Sequence, residues 1–150
     1  MPPNAYDPAL PGGAARLGEA AGADRLGLSA YELAPGESLV YHYHLGREEL
    51  LIVLRGTVAL RTPDGWRDVE PGGVAAFPRG PSGAHGCENR SGESVRLLMV
   101  SEQNGPNVSV YPDTDEVGVF DAAHPADRRF GARFRLGDAL GGYGGGEPRA

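Results

Sequence analysis

The chain has 150 residues, including 24 glycines and 13 prolines, and it carries 14 basic against 20 acidic residues. The resulting net charge of −6 disfavours nucleic-acid binding, because a protein that neutralises phosphates needs a basic surface. The single cysteine, Cys87, cannot form an internal disulfide, which fits a reducing cytoplasm. The first residues lack the pattern of a secretory signal, and the longest apolar runs are too short to cross a bilayer. We therefore expect a cytoplasmic protein that binds neither nucleic acid nor membranes.

Residues 1–25 are rich in Ala, Gly and Pro with weak periodicity, so we predict a lead-in segment there. Residues 26–121 alternate short apolar, β-branched or aromatic runs with turn signals rich in glycine and proline. The runs are Leu26–Leu33, Leu39–Leu45, Leu50–Leu54, Thr57–Arg61, Val74–Phe77, Val95–Val100, Val108–Tyr111 and Val117–Phe120. Short strands at this spacing, with no long helical pattern between them, are typical of an all-β sandwich or barrel.

Turns and chain ends complete the predicted organisation. Pro63-Asp64-Gly65 lies between Thr57–Thr62 and Trp66–Val69 and is the clearest hairpin signal. Residues 122–150 are Gly-rich and are predicted as a loosely structured tail. The sequence thus predicts one barrel domain over residues 26–121, flanked by two less regular segments.

The residues that carry chemistry lie on and beside the predicted strands. His42 and His44 are two apart, so on a strand both imidazoles project from the same face. Glu49 opens a run that is apolar on both faces, where a carboxylate is costly to bury unless it is paired or binds a metal. His85 follows the Pro- and Gly-rich loop Pro78–Gly83. Three imidazoles and one carboxylate suit Fe, Mn, Ni, Cu, Co or Zn better than calcium or magnesium.

The order and spacing of these residues resemble the two sequence motifs of the cupin superfamily. In the first, Gly36 is followed after five residues by His42-Tyr43-His44, after four more by Glu49 and after six more by Gly56. In the second, Gly72 is followed after five residues by Pro78-Arg79-Gly80, after four by His85 and after three by Asn89. The second motif usually has two residues before its histidine, so the four here lengthen a loop at the barrel mouth.

The span Leu26–Val119 is similar to small single-domain bacterial cupins of unassigned activity. The landmarks that carry this similarity are Glu48-Glu49-Leu50-Leu51, Leu60-Arg61-Thr62-Pro63-Asp64-Gly65, Phe77-Pro78-Arg79-Gly80-Pro81, Gly83-Ala84-His85 and Tyr111-Pro112-Asp113. The resemblance implies a double-stranded β-helix (jelly-roll) barrel of six to eight strands, with a metal inside held by His42, His44, Glu49 and His85. It also implies a homodimer, and it implies no particular substrate.

Several other polar residues compete for a role in the site. Glu48 adjoins Glu49, but the spacing to Gly56 favours Glu49 as the ligand. His124 lies in a loop context and is interpreted as a surface histidine, and Cys87 as a small buried side chain. Arg79 could recognise an anionic substrate at the barrel mouth, because its guanidinium pairs with carboxylates in a forked geometry.

Four protein ligands leave one or two metal positions open, which suits a small chelating substrate such as a diketone, a hydroxy acid or an enediol. Isomerase or lyase chemistry also requires a positioned proton carrier, and the sequence places none with certainty in the pocket. We therefore expect a dioxygenase-type enzyme. The alternatives are a metal-dependent isomerase or lyase, and a barrel that binds a small ligand without turnover.

Overall fold

A computed structural model describes residues 14–121 and 130–137 of the chain. They form the short helix α1 (Leu17–Ala20) and twelve strands. The strands are β1 (Ala14–Arg16), β2 (Leu26–Leu33), β3 (Ser38–His44), β4 (Glu49–Arg55), β5 (Val58–Thr62), β6 (Gly65–Val69), β7 (Val74–Phe77), β8 (His85–Glu88), β9 (Val95–Glu102), β10 (Asn107–Tyr111), β11 (Glu116–Phe120) and β12 (Gly131–Arg135). Within the described ranges, no helix is long and apolar enough to span a membrane.

The strands form two sheets that face each other. One has five strands in the order β1-β2-β9-β4-β7, and the other has seven in the order β12-β11-β10-β3-β8-β5-β6. Neighbours in both sheets run antiparallel. Strands that are distant in sequence pair with each other, as β3 does with both β8 and β10. The predicted all-β jelly-roll fold is confirmed, but the described residues form twelve strands and not the six to eight expected.

Most predicted strands are present within two residues of their expected bounds. Leu26–Leu33 and Val74–Phe77 coincide with β2 and β7, and the hairpin predicted at Pro63-Asp64-Gly65 joins β5 to β6. Three strands were not predicted: β1, β8 and β12. They are three to five residues long, and none carries an apolar alternation strong enough to stand out from a loop.

Both chain ends contribute to the sheets. The segment 1–25, predicted as a lead-in, supplies β1 and α1, and β1 pairs with β2 at the edge of the five-stranded sheet. The span 122–150, predicted as a loosely structured tail, contains β12, which pairs with β11. His124 lies outside the described residues.

Apolar side chains from both sheets meet at one end of the barrel and form its core. Leu33, Leu51 and Leu97 come from the five-stranded sheet, Val58 and Leu60 from the other, and each is at most 2% exposed. Burying one such side chain contributes about 1.5–3 kcal/mol to folding. The core therefore holds the two sheets together at one end of the barrel and leaves the other end to polar residues.

A β-bulge interrupts the pairing of β3 with β8. Leu39 pairs with Cys87 and His42 with His85, so Val40 and Tyr41 together oppose the single residue Gly86. A bulge resets the alternation of side chains, so Leu39 and His42 face inward although they are three residues apart. A Cβ at residue 86 would lie 2.9 Å from Tyr41 Cα, which explains the glycine there.

Asn89 joins the end of β8 to two other segments. Its Nδ2 donates to the carbonyl oxygens of Leu33 (2.8 Å) and Glu93 (2.7 Å), and its Oδ1 accepts from the amide of Ser91 (3.0 Å). The side chain is fully buried. Asn89 therefore has a structural role in the turn that leads into β9.

We predict that Asn89→Ala lowers the free energy of unfolding by about 1–3 kcal/mol, because the buried bond to the Leu33 carbonyl is lost together with the bonds to Glu93 and Ser91. Urea denaturation followed by circular dichroism measures the change. Ser82→Ala, at an exposed position, is the control and should unfold like the unmodified protein. Equal midpoints for the Asn89 variant and the control would contradict this role.

Candidate metal centre

Four of the five predicted site residues meet between the two sheets. His42 and His44 lie on β3, His85 begins β8, and Glu49 begins β4 in the opposite sheet. His42 pairs directly with His85, and His44 pairs with Ser109 of β10. The seven-stranded sheet thus supplies the imidazoles and the five-stranded sheet the carboxylate.

The side-chain atoms of these residues converge on one point. His42 Nε2 lies 3.1 Å from His44 Nε2, and Glu49 Oε2 lies 3.3 Å from His44 Nε2 and 3.2 Å from His85 Nε2. The candidate ligand atoms of His42, Glu49 and His85 all lie within 4.8 Å of one another. These residues are mostly or fully buried, so little water competes for the point at which they meet.

Each imidazole is oriented by an oxygen atom at its other ring nitrogen. Nδ1 of His42 donates to the carbonyl of Val40 in the bulge (2.9 Å), and Nδ1 of His85 donates to the carbonyl of Gly83 (2.9 Å). Nδ1 of His44 lies 3.1 Å from Asn107 Oδ1 and 3.0 Å from Ser109 Oγ. A carbonyl oxygen only accepts, so each Nδ1 carries the proton and each Nε2 offers a lone pair.

This arrangement of lone pairs fits a bound cation. Two neutral imidazoles with Nε2 atoms 3.1 Å apart repel each other unless a positive charge lies between them. His85 Nε2 is buried and makes no hydrogen bond despite its 3.2 Å approach to Glu49. His42, Glu49 and His85 could therefore hold a metal ion, and His44 lies within reach of the same point.

Electrostatics keeps the cluster in the protonation state that metal binding requires. Burial would raise the pKa of the Glu49 carboxyl, but the adjacent imidazoles of His44 and His85 lower it well below its usual value. Burial, together with the neighbouring imidazoles His85 and His44, lowers the pKa of His42 to about 4. At neutral pH Glu49 is therefore ionised and His42 is neutral.

Three residues of the cluster, His42, His44 and Glu49, line a cavity of about 520 Å³ with largely polar walls. Besides the cluster, charged or hydroxyl-bearing side chains line it: Arg16, Glu19, Asp24, Ser29, Tyr31, Arg47, Ser101, Ser109 and Tyr111. Burial and the charge of Glu49 raise the pKa of Tyr31, so its phenol stays protonated at neutral pH. The cavity is large enough for a small polar molecule that reaches the point where the side chains of His42, His44 and Glu49 meet.

A second, smaller cavity of about 180 Å³ lies on the apolar side of the cluster. His42, Glu49 and His85 border it together with Leu51, Leu60, Cys87 and Met99. Cys87 is 3% exposed, and burial raises the pKa of its thiol to about 11. The cysteine is therefore a protonated packing residue, as interpreted from the sequence.

The structure separates Arg79 from the other predicted site residues. Its guanidinium forms a forked pair with Glu102 (2.7 and 2.8 Å), both side chains are exposed, and Arg79 does not line either cavity described above. Glu48 is exposed, whereas its neighbour Glu49 joins the cluster. The substrate-binding role of Arg79 stays a prediction.

Sequence analysis missed most of the cavity wall. Tyr31, Arg16 and Arg47 line the cavity from β2, β1 and the β3–β4 loop, and Asn107 and Ser109 hold His44. Only Ser109 and Asn107 could have been found from the sequence, since they alternate with Val108 and Val110 on a predicted strand. The positions of the other three residues in the cavity wall depend on which strands pair, and no local sequence pattern indicates that pairing.

Comparison with known proteins gives the family. Residues 30–101 match the sequence model of the cupin domain. A sugar phosphate isomerase of the cupin superfamily from Silicibacter pomeroyi is 29% identical, with 81% of this chain and 74% of that chain covered and a TM-score of 0.74. A polyketide cyclase from Streptomyces resistomycificus is 32% identical, with 63% and 67% covered and a TM-score of 0.54.

A protein from Acidithiobacillus ferrooxidans has a TM-score of 0.73 over 83% of this chain and 76% of its own, and at 23% identity this likeness concerns the fold alone. No curated protein matches the sequence significantly. The domain match, the two facing sheets and the inward histidines agree with each other. The chain belongs to the cupin superfamily.

Proposed function

We propose that the protein is a metal-dependent enzyme that acts on a small chelating substrate, with His42, His44, Glu49 and His85 as the metal ligands. The observation that carries this proposal is the convergence of three Nε2 lone pairs on the Glu49 carboxylate, with His42, His44 and Glu49 lining the 520 Å³ cavity. A divalent transition metal bound there would act as a Lewis acid on the oxygens of the substrate.

The reaction that the cavity supports best is an isomerisation of a hydroxy carbonyl compound. Such a reaction moves a proton between adjacent carbons and another between their oxygens, so it needs proton carriers and no oxidant. The cavity wall carries a protonated phenol at Tyr31 and carboxylates at Glu19 and Asp24. The 29% identical relative from Silicibacter pomeroyi is a sugar phosphate isomerase, which supports the same class of reaction.

Each of these residues has a distinct part in the proposed reaction. Tyr31 lines both cavities and thus lies beside the cluster, where its hydroxyl can give a proton to a substrate oxygen and take it back. Glu19 and Asp24 lie on and just after α1, at the wall formed by the N-terminal segment, and either can accept a proton from carbon. The polar walls bind and orient the hydroxyl groups of the substrate.

A dioxygenase is the second candidate, and the smaller apolar cavity favours it. Leu51, Leu60 and Cys87 border that space and do not line the polar cavity. An apolar compartment of about 180 Å³ can admit a small apolar molecule such as dioxygen without displacing ordered water. Oxygen chemistry would additionally require a redox-active metal.

The outer face of the five-stranded sheet supports a homodimer. Leu98, Val100, Leu50 and Ile52 lie on this outer face, and the exposed Val74 continues the apolar surface onto β7. The flanking charges are neutralised within the chain, since Glu32 pairs with both Arg55 and Arg96. An apolar centre with a polar rim is typical of a subunit interface, and a second copy would cover it symmetrically.

We predict that His42→Ala combined with His44→Ala abolishes stoichiometric metal binding while the barrel stays folded, because two of four ligands are lost and the core is untouched. Elemental analysis of protein purified without chelator or metal-affinity tag measures the metal, and circular dichroism measures folding. Glu49→Gln should weaken metal binding, whereas its neighbour Glu48→Gln should not. Full metal retention in the double variant would exclude this ligand set.

We predict that the metal-loaded protein isomerises small sugar phosphates and incorporates deuterium from D2O, and that Tyr31→Phe lowers kcat about 10²–10⁴-fold with unchanged metal content. Tyr43→Phe, on the outer face of β3, is the matched control. Nuclear magnetic resonance follows the exchange, and an oxygen electrode runs in parallel. Substrate-dependent oxygen uptake without isomerisation would favour the dioxygenase instead.

We predict a dimer in solution that Ile52→Glu converts to a monomer, because the change buries a charge at the centre of the proposed interface. Light scattering at micromolar concentration measures the mass. Leu45→Glu, at a loop position that is 52% exposed, should leave the dimer intact. A monomeric unmodified protein would refute the interface.

A further inference from the structure

Two imidazoles of the cluster pack against an aromatic ring in addition to the hydrogen bond at Nδ1. Phe77 stacks on the buried His85, with ring centroids 3.7 Å apart and planes 8° from parallel. Tyr111, at the end of β10, stacks on the partly buried His42 at 5.9 Å and 24°. A hydrogen bond holds one atom of an imidazole, whereas a stacked ring also restrains its plane and hence the direction of its lone pair. Tyr111 therefore orients His42.

Tyr111 is itself held by a side chain of β12. The guanidinium carbon of Arg133 lies 4.1 Å from the centre of the Tyr111 ring. Because β3 and β12 lie on opposite sides of β10 in the sheet, His42 and Arg133 reach the ring from opposite sides. Arg133 Nη2 also pairs with Glu116 Oε2 at 2.9 Å, so the carboxylate balances its charge and helps to keep it over the ring.

These contacts join β12 to the cluster through a single ring. β12 is paired with β11 along its whole length, so the position of Arg133 depends on that pairing. A side chain that packs against a fixed partner is itself more ordered, so a fixed His42 would order Tyr111 and, through it, Arg133. Coupling of this kind is reciprocal, and a contribution of β12 to metal affinity must return as a contribution of bound metal to the stability of β12.

We propose that Tyr111 and Arg133 are positioning residues for His42, so that docking of β12 and binding of a metal at the cluster stabilise each other. This inference rests on the proposed function, because it takes His42 as a metal ligand. Residues 131–135 are thus a working part of the metal centre although none of them contacts the candidate ligand atoms.

Calorimetric titration of Mn²⁺ into metal-free protein tests the positioning role, with circular dichroism as the check on folding. We expect Tyr111→Leu to weaken Mn²⁺ binding about tenfold, since neighbours that orient a ligand typically contribute about 10–100-fold to metal affinity. Tyr111→Phe keeps the stacked ring and should bind Mn²⁺ like the unmodified protein. Unchanged binding in Tyr111→Leu would overturn the positioning role. Equal losses in the two variants would overturn it as well, because the hydroxyl and not the ring would then be responsible.

Arg133→Gln keeps the test decisive if Tyr111→Leu does not fold, because the Arg133 side chain is largely exposed. It should weaken Mn²⁺ binding by a smaller factor than Tyr111→Leu. Arg135→Gln removes the same charge from the same strand and is the matched control, which should bind Mn²⁺ normally. Equal Mn²⁺ affinities in Arg133→Gln and Arg135→Gln would show that Arg133 has no part in orienting His42.

Hydrogen exchange followed by mass spectrometry tests the reciprocal effect. We expect Mn²⁺ to slow exchange at residues 131–135 in the unmodified protein and in Arg135→Gln, and to leave it unchanged in Arg133→Gln. If Mn²⁺ binds the unmodified protein without slowing exchange in β12, the coupling is wrong and the proposed function stands. If neither Mn²⁺ nor Zn²⁺ binds the unmodified protein, the proposed function fails and the coupling fails with it.

Discussion

Lone-pair repulsion between inward-facing imidazoles is the constraint around which this barrel is arranged. The Nε2 atoms of His42 and His44 lie 3.1 Å apart, and such a contact persists only if a hydrogen bond at Nδ1 holds each ring in place. These hydrogen bonds come from the carbonyl of Val40 in the bulge, the carbonyl of Gly83 in a turn, and the side chains of Asn107 and Ser109. Phe77 adds a ring stacked on His85 at 3.7 Å. The cluster is thus preorganised before any cation enters.

Each of the two sheets supplies different groups to the site. The seven-stranded sheet contributes the imidazoles and most of their fixed acceptors, and its geometry sets the cluster. The five-stranded sheet contributes Glu49 and, along the same inner row, Ser101 and Gly27 at the cavity wall. Because Arg47 and α1 lie outside these paired rows, the groups that would recognise a substrate can vary while the cluster stays unchanged.

The sequence predicted the site where local alternation was sufficient. His42 and His44 share a face because they are two apart on a strand, and Glu49 stood out as a charge before an apolar run. Arg79 was chosen for its place in a motif, yet its guanidinium pairs with Glu102 on the surface. Tyr31 was not found, since its inward position follows from the pairing of β2 with β9, and Arg47 was not found because it lies in the loop between β3 and β4; no local pattern encodes either position.

Because of the bulge at Val40 and Tyr41, β3 could lose one residue without a change in its register with β8. Deleting one of these two residues would leave Leu39 opposite Cys87 and His42 opposite His85, now in regular alternation with the same faces inward. The sheet would therefore tolerate the shorter chain, but His42 would lose the carbonyl that orients its ring. In descendants of this sequence, the length of β3 at this point would be constrained by the orientation of His42 and not by folding.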